Sequence, residues 1–135
     1  GTAPPCLSPG DLAIVGFNTD TPDMVALVAL ADLPAGTEIV VTDDAWAGSS
    51  WRGTEGRLTF TAGVGGVPLG AVLSWDAGAT AQSAHGAWAK IGGFSLAAAG
   101  DQLIVFQDSC AGAAGPNFIF AATTTGWAVP GAALD

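Results

Sequence analysis

The stretch that decides the fold is Met24-Val25-Ala26-Leu27-Val28-Ala29-Leu30-Ala31, read with Asp11-Leu12-Ala13-Ile14-Val15-Gly16-Phe17 before it. Neither follows helical spacing. Both are short apolar runs bounded by turn residues, and in both the residues on alternating sides are apolar, as in strands covered on two faces. The apolar run of eight residues is far short of the roughly twenty that span a bilayer as a helix. Working outward, Glu38–Thr42 (EIVVT) and Arg57–Thr61 (RLTFT) alternate cleanly, with Ile39, Val41, Leu58 and Phe60 on one side. Ala71–Trp75, Asp101–Gln107 and Asn117–Ala122 complete a set of about seven strands. Thr21-Pro22-Asp23, Leu33-Pro34-Ala35-Gly36, Val67-Pro68-Leu69-Gly70 and Gly115-Pro116-Asn117 carry the turn chemistry between them. The expectation is an all-β, antiparallel sandwich of immunoglobulin-like or lamin-tail-like architecture. Residues 1–10 read as a Pro-rich arm, 11–129 as the sandwich and 130–135 as an exit segment. Ala97-Ala98-Ala99 is bracketed too tightly by glycine for more than one helical turn.

The 135 residues hold three cations (Arg52, Arg57, Lys90) against twelve carboxylates, a net charge of −9. Half the residues are apolar, which a disordered acidic tail does not show. Three cations cannot displace many counterions from a polyanion, so nucleic acid is excluded as a partner. No basic amphipathic segment or membrane-spanning run points to a bilayer either. Only 11% of residues are charged, against about 25% in an ordinary domain, and Gly and Ala fill the space. Such a surface suits contact with neighbouring subunits or sugar.

Cys6 and Cys110 have no metal-ligand spacing, and with the lone His85 they are too few for zinc. One disulfide is the expectation, against two unpaired thiols. Its topological basis is a first strand running beside the sixth, so that the start of one meets the end of the other. Such a bridge belongs to an oxidising compartment. Gly1–Pro5 shows neither a charged nor an apolar leader region, so an exported form would be a processed chain or an excised module. No Asn-x-Ser/Thr sequon occurs, leaving Thr2, Ser8 and Thr21, each near proline, for O-linked sugar.

No catalytic constellation stands out. His85 sits in a small-residue loop with no partner serine singled out, and Asp43 with Glu55 is the one carboxylate couple. The chain therefore reads as a non-enzyme. Calcium is the one cofactor for which the loops offer oxygen: Asn18, Asp20 and Asp23 in one, Asp43 and Asp44 at a strand end. The competing reading, that Asn18, Asp20 and Asp23 cap their own turn, comes first. Trp46 and Trp51, with Arg52 and Glu55, make a candidate surface for a protein partner or a glycan, against the plainer role of plugging the sandwich. Arg52 and Arg57 are expected to pair with Asp43, Asp44 or Glu55.

Leu7-Ser8-Pro9-Gly10-Asp11-Leu12-Ala13-Ile14-Val15-Gly16, Asn18-Thr19-Asp20 and Pro22-Asp23 open a longer pattern. It continues through Leu33-Pro34-Ala35-Gly36-Thr37-Glu38-Ile39, Thr42-Asp43-Asp44-Ala45-Trp46, Arg52-Gly53-Thr54-Glu55-Gly56, Gly100-Asp101-Gln102-Leu103 and Pro116-Asn117-Phe118-Ile119. This order resembles a β-rich domain of secreted bacterial surface proteins, with Asp43-Asp44-Ala45-Trp46 where that family tends to Asp-Asn-Gly-Trp. The resemblance implies an exported, often multi-domain parent and no particular activity. The function expected is an extracellular structural or adhesive module of a larger surface or fibrous assembly, contacting other subunits or itself head-to-tail. The alternative is a calcium-assisted carbohydrate-binding module.

Overall fold

A computed structural model describes residues 3–20, 22–51, 56–77, 82–96, 101–113 and 115–123. Within them the chain is all β, with no helix. Nine strands form: β1 (Leu12–Asn18), β2 (Met24–Ala29), β3 (Glu38–Thr42), β4 (Arg57–Ala62), β5 (Val72–Asp76), β6 (Gln82–Ser83), β7 (Gly86–Ile91), β8 (Gln102–Gln107) and β9 (Asn117–Thr123). One sheet has the order β1-β2-β5, the other β6-β7-β4-β3-β8-β9, and every pairing is antiparallel. The two sheets enclose one core, so the fold is a β-sandwich. Alternate residues of each strand supply that core: Leu12, Val25, Leu27 and Leu73 from the small sheet, Ile39, Val41, Leu58, Phe60, Leu103 and Val105 from the large one. Trp75 meets Phe94 edge-on and Phe60 meets Trp88 edge-on, which places two of the indoles firmly inside.

The seven expected strands all form, with ends shifted by one or two residues. The hairpin β6–β7 was not expected. Gly86-Ala87-Trp88-Ala89-Lys90-Ile91 has poor intrinsic strand preference, but it pairs with β4 along its whole length and buries Trp88 against Phe60. Tertiary pairing overrides propensity there. The expected turn at 97–99 and the exit segment 130–135 lie outside the described residues.

Pro34-Ala35-Gly36-Thr37 and Pro68-Leu69-Gly70-Ala71 form the same turn. In each the last amide donates to the proline carbonyl, and glycine takes φ near +80° to +90°. The two loops are joined by the bridge between Leu33 and Val67. The two Pro-x-Gly segments are thus one turn type used twice at one end of the sandwich.

Cys6 and Cys110 are bridged, closing a separation of 104 residues. The route differs from the one expected. β1 belongs to the small sheet and lies beside β9, while β8 sits between β3 and β9 in the other sheet. What brings the cysteines together is the arm itself, which runs along the β8–β9 end before β1 begins. Ala111 N donates to Pro4 O, and Gly10 N donates to Ile119 O.

Candidate functional site

Gln107 fastens that arm. It is 1% exposed at the end of β8. Its Oε1 accepts from Leu7 N (2.9 Å) and Asn117 Nδ2 (2.9 Å), and its Nε2 donates to Pro5 O (2.8 Å) and Glu38 O (3.2 Å). Asn117 Nδ2 also donates to Leu7 O. Two carboxamides and the disulfide thus hold residues 4–10 to their own molecule, and the arm's backbone groups are spent there rather than on a neighbour. Neither carboxamide stood out in the sequence, since a buried Gln inside a strand carries no spacing signal.

The second region is the outer face of the large sheet. On β3 and β8 three buried apolar residues point away from the main core: Val40, Ile104 and Phe106. The connection from β3 to β4 folds back over them. Trp46 and Trp51 bridge across a tight loop in which Ala47 N donates to Ser50 O and Gly48 adopts φ +95°. Their rings meet edge-on at 5.0 Å, Trp51 lies 4.7 Å from Phe106, and Trp46 lies 5.3 Å from Phe118. Arg57 pairs with Asp108 at 2.8 Å, and its guanidinium sits 5.7 Å from the Trp51 ring and 5.3 Å from that of Phe106. Asp108 is a partner for Arg57 that the sequence did not suggest. Both indoles are half-buried, so their first role is a small outer core. A shallow groove of about 350 Å³ remains between Trp46, Ile104, Phe118 and Ala121. Arg52 and Glu55 lie outside the described residues.

The acids expected to favour calcium are dispersed. Asn18 Oδ1 accepts from Asp20 N and its Nδ2 donates to Pro22 O, an Asx-type turn. Asp23 turns away and its Oδ2 accepts from Leu96 N, tying the β1–β2 loop to the far side of the core. Asp43 and Asp44 are buried at the end of β3. Asp44 Oδ1 accepts from Ala45 N, and Gln102 Nε2 donates to Asp44 O. No group of three His, Cys, Asp or Glu able to hold a metal occurs among the described residues. His85 lies at the β6–β7 turn, where its carbonyl accepts from Gly63 N, and lines a depression of about 580 Å³ with Leu33, Val64, Gly66 and Pro68.

The third region is the outer face of the small sheet, which the sequence reading missed. From β1 it presents Ala13, Val15, Gly16 and Asn18, from β2 Met24, Ala26 and Val28, and from β5 Val72, Ser74 and Asp76. Leu30 extends the middle row. Val15 is 57% exposed, Leu30 52% and Val72 55%. Val15 is the extra residue of a β-bulge between Ile14 and Gly16, which pushes it outward. Between Asp11 at one end and Asp76 at the other, no charged side chain stands on this face. The signal in the sequence is Met24–Ala31, where both alternating rows are apolar, a pattern shared with strands buried on both faces.

Neither a protein-family model, nor a curated protein, nor a solved structure matches the chain.

Proposed function

We propose that this chain is a non-catalytic structural or adhesive module, a subunit or domain of a larger surface or fibrous assembly outside the cell. The observation that carries this reading is the charge-poor outer face of β1-β2-β5, with Val15, Met24, Leu30 and Val72 exposed on it, on a chain with a net charge of −9. A solvated sheet face normally alternates to polar residues, whereas one that meets a neighbour stays apolar. The Cys6–Cys110 bridge supports an oxidising compartment, and the scarcity of charge supports a surface covered by neighbours or by O-linked sugar. The test is fractionation of the producing cells, with the thiol state trapped by alkylation. The reading expects an oxidised chain in a high-mass surface or extracellular fraction. A reduced, cytosolic, low-mass chain would refute it.

A glycan ligand, with or without calcium, is the second reading, favoured by the ring surfaces of Trp46 and Phe118 beside the groove. A glycan array run with and without chelator tests it, and silence in both conditions retires it.

A further inference from the structure

We infer that the Cys6 sulfur is a site of reversible thiol exchange, selective for small thiols that carry a positive charge, with Cys110 as the leaving sulfur. This goes beyond the assembly reading and stands or falls apart from it.

The two ends of the bridge differ in access. Cys6 is exposed on the arm, whereas Cys110 is 3% exposed. Exchange requires an external thiolate to reach one of the two sulfurs, so access selects Cys6 as the one attacked. The polar surroundings act in the same sense. Ala111 O lies 3.3 Å from Cys6 Sγ, and a carbonyl oxygen opposes negative charge on that sulfur. Asn117 Nδ2 lies 3.9 Å from Cys110 Sγ, so the positive end of an amide dipole faces the other. Burial opposes a charged Cys110, and the amide offsets part of that cost.

The step balances within the thiol and the bridge. The incoming thiolate forms a bond to Cys6 Sγ, the Cys6–Cys110 bond breaks, and its electron pair departs on Cys110 Sγ, which takes a proton from solvent. One disulfide replaces another, and no further co-reactant is consumed.

The arm makes the step reversible. On either side of Cys6, Leu7 N and Pro5 O stay bonded to Gln107, Leu7 O to Asn117 and Pro4 O to Ala111 N. None of these bonds runs through the bridge. Cys110 therefore stays within reach of Cys6 and re-forms the disulfide as the thiol departs. The mixed disulfide is a transient cap on an arm that keeps its place.

Charge selects among thiols. Pro4 and Pro5, which precede Cys6, wall a depression of about 450 Å³ with Ala35, Gly36, Glu38 and Thr61. Glu38 is the one ionisable side chain among its lining residues, and it is exposed. Its carboxylate favours an ammonium group and opposes an anion beside the arm, within the field of a chain of net charge −9.

The experiment treats the native, disulfide-intact chain with cysteamine, mercaptoethanol or mercaptoethanesulfonate at equal thiolate concentration. Reactions are quenched early in acid, and the adduct is located by fragmenting the intact chain in a mass spectrometer. Each rate is divided by that of the same thiol with a linear peptide disulfide. The expected adduct lies on Cys6 several-fold more often than on Cys110. Cysteamine should react several-fold faster than mercaptoethanesulfonate, with mercaptoethanol between them. Glu38→Gln, an exposed substitution expected to melt with the wild type, should narrow that spread, as should added salt. Equal labelling of the two cysteines, or labelling first at Cys110, overturns the assignment. So does an exchange rate no faster than global unfolding. The absence of a spread between the thiols, or a spread that E38Q leaves unchanged, overturns the charge selection.

Discussion

Replacing Gln107 tests what holds the arm in place. All four hydrogen-bonding positions of its carboxamide are used, two as acceptor and two as donor. Gln107→Leu fills similar space but orphans Leu7 N–H, Pro5 C=O and Glu38 C=O. Leu7 is 7% exposed, and the disulfide next to it keeps the segment from swinging into water. An orphaned buried donor costs about 1–3 kcal/mol, and the two half-buried carbonyls cost less because water reaches them, so the total is about 3 kcal/mol. For a domain of this size that lowers the melting temperature by about 10 °C.

Gln107→Glu is the sharper variant. It keeps the shape and the acceptor toward Leu7, but at neutral pH it places an anionic oxygen against two carbonyls. Burial and those carbonyls raise the carboxyl pKa above its unfolded value of about 4.3. An acid whose folded pKa is raised destabilises the fold as pH rises above the unfolded value, and the penalty fades as pH falls below it. Q107E should therefore be less stable than Q107L at neutral pH and recover relative to it in acid, where the protonated carboxyl donates one bond. Thermal melts across pH and hydrogen exchange at the Leu7 amide read both effects. If Q107L melts within a degree of the wild type and Leu7 exchanges as slowly, or if the two variants track each other across pH, the clamp argument fails.

Removing the bridge with Cys6→Ala and Cys110→Ala lowers stability by up to about 4.7 kcal/mol, the chain-entropy value for a loop of roughly 100 residues. The wild type melted in reductant should coincide with the variant, and a reductant-insensitive melt would refute this. Trp51→Ala removes a ring from the outer cluster and costs about 2–3 kcal/mol in denaturant unfolding, as befits a half-buried aromatic. An unchanged unfolding midpoint would show that the ring is not part of the packing. Gly86→Ala sets a methyl against the Thr61 carbonyl oxygen and 2.7 Å from Phe60 Cζ, which costs about 2 kcal/mol or more. Faster amide exchange along β7 should accompany it, and an unaffected β7 would contradict the close approach.

Strand positions were legible because alternation and proline–glycine turns are local signals. Arg57-Leu58-Thr59-Phe60-Thr61 states its own inward face. The pairing of Cys6 with Cys110 was legible as a pair but not as a path, because the path is set by Gln107 and Asn117 bonding to the arm's backbone. Long-range amide contacts of that kind leave no periodicity. β7 was hidden for the opposite reason: its small residues carry almost no local preference, and Trp88 alone anchors it. The role of Trp46 and Trp51 stayed open in the sequence because a loop tryptophan looks the same whether it covers its own sheet or awaits a ligand.

The two outer faces of the sandwich differ in how they are covered. β8 reads Gln102-Leu103-Ile104-Val105-Phe106-Gln107, apolar on both sides, and every one of its residues is buried. Its outer row is covered because the β3–β4 connection supplies Trp46 and Trp51, with Arg57 over Trp51 and Phe106. β2 reads just as apolar on both sides, yet Met24 is 37% exposed and Leu30, beyond its end, 52%. The same sequence pattern thus has two outcomes, and what separates them is a long loop with two indoles. None of the connections flanking β2 and β5 lays such a loop over the small sheet among the described residues. The chain has the means to close an apolar sheet face from within and applies it to one sheet. On the other it keeps the row Ala13–Val28–Val72 apolar and sets its charges at the two ends, Asp11 and Asp76. That asymmetry favours a neighbouring molecule as the missing cover.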